Sequence, residues 1–590
     1  MILFNILLAL LAIVPSPSKG KAPIASITEL NRKAETVNSH EGETTRSGLE
    51  TDFRSSIILT KEHLGIDYLE YPRIKILPDG SYILFYQSRD QKTNKDHDGV
   101  FTAFSKDGRN WTPGPAIWEK TPVTDPEGAP NTRYYATCDA ILLQNGDILA
   151  FAQFRLGEKS LKYRKTWGLA MKRSSDLGKS WGEETVLFRD RVWEPLPIQL
   201  PSGEIQLYVT HTNHDWELPL TDITLLRSFD NGYTWTTYSP AMRFIDGFSK
   251  ADRKSVDMPA PETEETEHFT SQMPAAVLLN DGKTMLVAHE SVHILDKPKK
   301  DGSKRHLMLT LGWNSASWPQ GQLKGYQEGP EEIVKNFVGG SAPSLVQFTS
   351  GETAFSYTGN WWYMRTGNER GSDIPDNPFF SPMKLFARWG ALTIEDDHTV
   401  LATSASVHKE NGNIKKIRDI VVASLRLNHR ITAQSFTPSV DGDNADWKDV
   451  DEALFLGSES QAQCAFRFAQ DKKNLYVLVD CLDNAIASGD KLDLYFSDGQ
   501  DPLSIESVGL EAQGPGEIAL KPRKKTTMSA KAYPGEGYVA EICIPKSSIP
   551  AGGREGVCFN AVLKKGEMTD TFTLRTLEKV DNWYQVKFAK

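Results

Sequence analysis

One unit recurs along this chain: an apolar run, a glycine turn, a second apolar run. It reads YPRIKILPDGSYILFYQSR at 71–89, CDAILLQNGDILAFAQFR at 138–155 and EPLPIQLPSGEIQLYVTH at 194–211. It returns as MPAAVLLNDGKTMLVAHES at 273–291, APSLVQFTSGETAFSYTGN at 342–360 and, more loosely, GALTIEDDHTVLATSASVH at 390–408. Asp-Gly, Asn-Gly or Ser-Gly at most of the turns marks each copy as a β-hairpin. The spacing between copies leaves room for two further strands each, and six four-stranded units predict a six-bladed β-propeller. The apolar run SSIILT at 55–60 is placed to complete the last blade and remove an open edge.

A second pattern runs in register with the hairpins. RSSDLGKSW at 173–181 and RSFDNGYTW at 227–235 share the spacing S-x-D-x-G-x-[ST]-W. FSKDGRNW at 104–111 is one residue shorter, and LGWNSASW at 311–318 reads as a decayed fourth copy. Short Ser and Asp side chains accept backbone N–H bonds and pin a turn, Gly permits positive φ, and Trp fills space between sheets. The box is architectural and carries no chemistry.

Composition narrows the partners. The net charge is −10 and no basic block stands out, which makes nucleic acid a poor partner. The first residues, MILFNILLALLAIVPSPSKGK, hold an apolar run too short to span a bilayer and followed by Pro, Ser and Gly. Residues 1–20 therefore read as a signal peptide without a basic leader, and 21–50 as a polar linker. A secreted or periplasmic protein with no membrane span after processing, and a monomer, is expected. Cys464, Cys481, Cys543 and Cys558 lie in apolar strand-like runs, where buried thiols and disulfides are equally open readings. No Cys pair has zinc spacing, and neither a metal nor a cofactor is expected.

Hairpin geometry says where chemistry belongs. Residues seven to nine before a turn glycine and those about as far after it share one end of the hairpin. If the hairpins are innermost, those ends gather at the propeller axis, the usual ligand site of such a fold. The ends hold Arg73, Asp139 and Glu194 before the turns, and Gln87, Arg89, Gln153, Arg155, His211, Glu290 and Tyr357 after them. Converging carboxylates and guanidinium groups suit glycoside hydrolysis, in which one carboxyl protonates the leaving oxygen and a second acts as nucleophile or base.

The boxes and hairpins of 55–430 resemble the sialidase superfamily of propellers. Within it, Tyr71-Pro72-Arg73-Ile74 is similar to the Phe/Tyr-Arg-Ile-Pro motif, with Lys75 in place of the proline. That resemblance implies Arg73 as one of three carboxylate-gripping arginines, Arg365 and Arg388 as candidates for the others, Asp139 as acid and Tyr357 as nucleophile. VWEPLPIQLPSGEIQLYV (192–209) and MPAAVLLNDGKTMLVAHE (273–290) resemble the segments of glycoside hydrolase family 93 exo-arabinanases that carry the two catalytic glutamates, the first in a Trp-Glu-Pro motif and the second at the segment's end. That implies Glu194 as acid/base and Glu290 as nucleophile. Arg73, Arg89, Arg155, His211 and Tyr357, at the hairpin ends, are the residues expected to bind substrate.

Residues 431–590 alternate like sandwich strands and resemble carbohydrate-binding module family 9. The resemblance implies a glycan-binding β-sandwich, with Trp447, Trp583 and Tyr584 as stacking candidates and Asp441 and Asp443 as Ca²⁺ candidates. The whole chain is expected to be all-β, with the propeller over 51–430 and the sandwich after it. Its expected activity is that of an exo-acting glycosidase on an oligo- or polysaccharide or glycoconjugate. An exo-α-sialidase and a non-catalytic glycan-binding propeller are the alternatives.

Overall fold

The structure is a computed structural model. It describes residues 48–589 except 67, 90–96, 158–163, 214–219, 247–270, 295–304, 318–326, 329–331, 360–361, 375–386, 397–398, 411–412, 429–430, 451, 458–461, 484, 501–505, 515–516, 522–524, 534–535, 550–554, 573–576, 579 and 581–582. The predicted signal peptide, most of the predicted linker and residues 247–270 lie outside the described residues, as does Trp318. No described helix is long and apolar enough to cross a membrane.

Each hairpin forms the first two strands of an antiparallel blade, and the six blades make a propeller. Blade 1 runs through Leu69–Ile76, Tyr82–Arg89, His97–Ser105 and Trp111–Glu119. Blade 2 runs through Pro130–Leu142, Ile148–Leu156, Gly168–Ser174 and Thr185–Phe188. Blade 3 follows with Val192–Gln199, Ile205–Asn213, Leu220–Ser228 and Ser239–Asp246. Blade 4 uses Gln272–Leu278, Thr284–Ile294, Arg305–Ser315 and Glu332–Val338. Blade 5 shows Ser341–Gln347, Thr353–Thr358 and Trp362–Gly367 among the described residues.

Blade 6 closes the ring with strands from both ends of the propeller. Ala387–Ile394, Thr399–Glu410 and Asn413–Asn428 come from its C-terminal end. The outer strand is Gly48–Leu59, paired antiparallel from Gly48 with Asn428 to Leu59 with Ile420. SSIILT lies in this closing strand, which covers an edge that would otherwise be open.

The S-x-D-x-G turns of blades 2 and 3 each pack against the blade before. Ser174 Oγ accepts the Gly178 N–H at 2.8 Å and donates to Asp176, whose carboxylate also accepts the Ser180 N–H. Ser228, Asp230, Gly232 and Thr234 repeat the same bonds in blade 3. These donors hold the Asp176 and Asp230 carboxyls down at about 2. Gly178 and Gly232 turn with φ of 85° and 84°, and a Cβ on either would strike Ile83 or Leu149 of the preceding blade at 2.4 Å. The box tryptophans follow, Trp181 edge-on to Phe85 at 6.1 Å and Trp235 edge-on to Phe151 at 5.7 Å.

Beyond the propeller, Ile431–Ser435 pairs in parallel with both Ala462–Gln470 and Tyr584–Phe588 and so joins two sheets. One sheet carries Phe466 and Phe468, the other Phe496 and Phe559, and the rings meet in one core with centroids of Phe468 and Phe559 5.0 Å apart. Two sheets around one core are the arrangement that a β-sandwich requires. Its candidate stacking residues are buried: Trp447 and Trp583 are 0% exposed and Tyr584 is 3%. They are core, with Trp447 Nε1 donating to Glu541. All five cysteines are unbonded thiols, and Cys464 lies directly across the ladder from Cys481.

Candidate active site

The innermost strand of every blade bends at the same place. Pairing with the second strand slips by one residue between Glu70 and Arg73, Ala136 and Asp139, Trp193 and Leu196, Gln272 and Ala275, Ser341 and Ser344, and Arg388 and Ala391. Inside each slip one non-glycine residue is left-handed: Tyr71, Thr137, Glu194, Met273, Ala342 and Trp389, with φ from 48° to 60°. These are β-bulges. Proline follows in four of them (Pro72, Pro195, Pro274, Pro343), a residue that tolerates a bulge because no ladder N–H is required there. Each left-handed side chain costs about 1–2 kcal/mol that glycine would avoid.

Bonds from the preceding blade fix the bulges. Gln87 Oε1 accepts the Thr137 N–H at 2.5 Å, and Thr137 Oγ1 accepts the Glu194 N–H at 3.1 Å. The Met273 N–H is shared by Thr210 Oγ1 at 3.0 Å and Glu194 Oε2 at 2.9 Å. Glu290 Oε1 accepts the Ala342 N–H at 2.8 Å. Gln87, Thr210 and Glu290 are structurally equivalent, each paired with the residue that precedes its blade's bulge residue.

Two cavities meet at this ring and share Tyr71 and Glu194 in their walls. The outer cleft, about 260 Å³, is rimmed by Trp167, Trp193 and Trp389, with Gln87, Arg89, Thr137, Gln153 and Arg155 around it. The inner one, about 170 Å³, runs between the innermost strands and holds Arg73, Lys75 and Asp139. Asp139 is ion-paired with Lys75 at 2.9 Å and Arg73 at 3.7 Å. Arg73 also donates to the carbonyls of Pro72 and Trp389 and lies over the Tyr71 ring at 4.1 Å.

Glu194 is the group whose chemistry this setting changes most. Burial pushes its carboxyl up to about 8, and the nearby Glu290 charge pushes the same way. The Thr210 hydroxyl, the Met273 N–H and Arg73 oppose the rise without cancelling it. Glu290 is 5% exposed, its carboxyl also raised by burial and held by Gln272 Nε2 at 2.5 Å and the Ala342 N–H. At neutral pH Glu194 therefore carries a proton in a cleft with aromatic walls, where it is able to donate to an oxygen seated against it.

The fold brings Arg73, Asp139, Glu194, Arg89 and Arg155 onto the two cavities. Arg89 is gripped by buried Glu70 at 2.9 Å, and Arg155 lies over Trp167 at 5.3 Å. Glu290, a predicted catalytic residue, lines neither cavity but lies within electrostatic reach of Glu194. His211 and Tyr357 do not join them. His211 is buried between Phe188 and Tyr238, with Nε2 3.7 Å from Asp190. Tyr357 stacks among Phe337, Phe355 and Tyr363 and accepts a bond from Arg365 Nε at 2.9 Å. The three rim tryptophans and Thr137 escaped the sequence reading, though the Pro that follows four of the six bulge residues was a usable signal for the ring. Among the described residues, no three His, Cys, Asp or Glu side chains are placed to hold a metal.

No protein-family model matches the chain, and no curated protein sequence matches it. Solved structures do. The family 93 α-L-arabinofuranosidase of Fusarium graminearum in complex with arabinobiose is 14% identical, with 63% of this chain and 98% of that one covered and a TM-score of 0.43. The intramolecular trans-sialidase from Ruminococcus gnavus in complex with oseltamivir carboxylate is 11% identical over 63% and 97%, with a TM-score of 0.41. A family 9 carbohydrate-binding module from Caldicellulosiruptor kristjanssonii in complex with cellotriose is 17% identical over 27% and 93%, with a TM-score of 0.23.

Proposed function

We propose that this protein is an exported, exo-acting glycoside hydrolase that removes terminal sugars from a glycan by a two-carboxylate mechanism. One observation carries the reading: Glu194, in the wall of a tryptophan-lined cleft, has its carboxyl raised to about 8 and a second buried carboxyl, Glu290, within electrostatic reach. Environments that push a carboxyl above neutrality produce a general acid at working pH. Glu194 would protonate the glycosidic oxygen as the bond to the terminal sugar breaks. Glu290 lines neither cavity as it stands; once ionised and opened to the cleft by bound substrate, it would serve as nucleophile or as base for a water molecule. Trp389, the least buried of the three tryptophans, offers a flat apolar face to a sugar ring, and Arg89 and Arg155 offer donors to its oxygens.

What weighs for this reading over a sialidase is the placement of the arginines. Arg73 is committed to Asp139 and two backbone carbonyls, while Arg365 is bonded to Tyr357 in blade 5. The sandwich would hold the enzyme on its polymer, using residues other than the buried Trp447 and Trp583.

The test is product release from a panel of plant and animal glycans, followed by chromatography of the liberated monosaccharide. Release of a terminal sugar that is lost in Glu290→Gln supports the reading, because Gln keeps the acceptor for the Ala342 N–H and hence the fold. Full activity in Glu290→Gln removes Glu290 from the chemistry. Binding without turnover across the panel points instead to a glycan-binding propeller.

A further inference from the structure

The six bulges raise a question that the two carboxylates do not answer. A bulge needs a left-handed residue, and glycine supplies one without strain. None of the six positions holds glycine; they hold Tyr71, Thr137, Glu194, Met273, Ala342 and Trp389. Strained non-glycine residues gathered at one place mark sites where the side chain itself is needed. One of the six is the proposed acid, and the other five share its backbone geometry on the other five blades.

Their side chains divide the ring in two. Tyr71, Met273, Ala342 and Trp389 pack together as one apolar cluster spanning blades 4, 5, 6 and 1, with the Tyr71 and Trp389 ring centroids 6.3 Å apart. Thr137 and Glu194, on blades 2 and 3, make up the polar side and are bonded to each other. Tyr71, Thr137, Glu194 and Trp389 line the outer cleft, Met273 lines the inner cavity, and Ala342 packs behind them and lines neither. A sugar ring has the matching form, with one face of C–H groups and an edge of oxygens.

We propose that the bulge residues lining the cleft are the specificity determinants of the site: the terminal sugar lays its C–H face on the shelf of Tyr71 and Trp389, with its glycosidic oxygen toward Glu194. The identity of the side chain at those bulges then decides which sugar fits. This inference rests on the hydrolase reading for its orientation, and on the ring alone for its shelf.

The experiment exchanges residues that the ring already carries at the same backbone geometry. Tyr71→Trp copies blade 6 into blade 1, and Trp389→Tyr copies blade 1 into blade 6. For each full-length variant, kcat/KM is measured on p-nitrophenyl α-L-arabinofuranoside, p-nitrophenyl β-D-galactopyranoside and 4-methylumbelliferyl α-sialoside. The readout is the ratio between the two best substrates, so a partly misfolded preparation does not mimic an effect. The expected result is a change in that ratio of at least about tenfold, the discrimination a misfitted methylene or ring edge produces in an apolar site. Ratios unchanged within about twofold in both variants overturn the proposal while leaving the hydrolase reading in place. If the parent protein turns over none of the three, that reading fails on these sugars, and the ratio is taken from binding of arabinose, galactose and sialic acid by tryptophan fluorescence. A changed binding ratio still supports the ring; an unchanged ratio, or no binding at all, overturns it.

Discussion

The Met273 N–H donates a 2.9 Å hydrogen bond to Oε2 of Glu194, tying the innermost strand of blade 4 to the candidate acid of blade 3. The same oxygen accepts the Thr210 hydroxyl at 2.8 Å, while the Glu194 N–H is held by Thr137. Three blades therefore fix one carboxyl, and its protonation is linked to how they pack.

That linkage has a sign. The Glu194 carboxyl titrates near 8 in the folded protein, above its ordinary value of 4.5. Between those values the folded state holds a proton that the unfolded chain has released, so stability falls as pH rises through that window. The contribution is full below about 4.5 and lost above about 8. Thermal melts from pH 5 to 9 should show this decline, and Glu194→Gln should flatten it. An identical pH dependence in the variant would place the proton elsewhere.

The sandwich holds a buried pair, Arg467 and Asp480, 3.0 Å apart and both 0% exposed. Burial raises the Asp480 carboxyl to about 6 even though Arg467 opposes the rise. Arg467→Met should destabilise the sandwich by about 3–5 kcal/mol by stranding that charge. The loss should be larger at pH 8 than at pH 5, where Asp480 can take up a proton. Urea unfolding at the two pH values measures the difference.

Ser174→Ala removes the acceptor for the buried Gly178 N–H and should cost about 1–3 kcal/mol. Because the turn lies away from the cleft, the kcat/KM profile should keep its shape. A shifted pH profile would mean that the turn communicates with the site.

A chain beginning at Thr60 lacks the closing strand of blade 6 and exposes the edge of Asn413–Asn428. Such an edge is a template for strand addition. Size-exclusion chromatography should show this chain aggregated, whereas the full chain elutes as a defined species.

The repeat was plain in the sequence because a hairpin leaves three marks at once: alternation, a glycine turn and a fixed interval. It also placed Arg73, Asp139 and Glu194 correctly at one end of their strands. His211 and Tyr357 were drawn to the site by distance from the turn alone, which ignores side-chain parity. His211 follows Thr210, whose hydroxyl reaches Glu194, and a neighbour in a strand faces the opposite side of the sheet. Tyr357 likewise precedes Thr358, the blade 5 equivalent of Thr210 and Glu290. The bulges were hidden because their residues share no chemistry, only a backbone angle. Trp167 and Trp389 lay outside or at the margin of the repeats, and only the closed ring brings them to the rim.

The most direct measurement is kcat/KM of the parent protein and of Glu194→Gln on the same terminal-sugar substrate, with thermal melts confirming that both are folded. A positioned general acid contributes roughly 100- to 10,000-fold. Loss of at least about 100-fold in the variant, together with a parent rate that falls as pH rises through about 8, is the expected result. A folded Glu194→Gln protein with unreduced activity would contradict the assignment of Glu194 and, with it, the proposed mechanism.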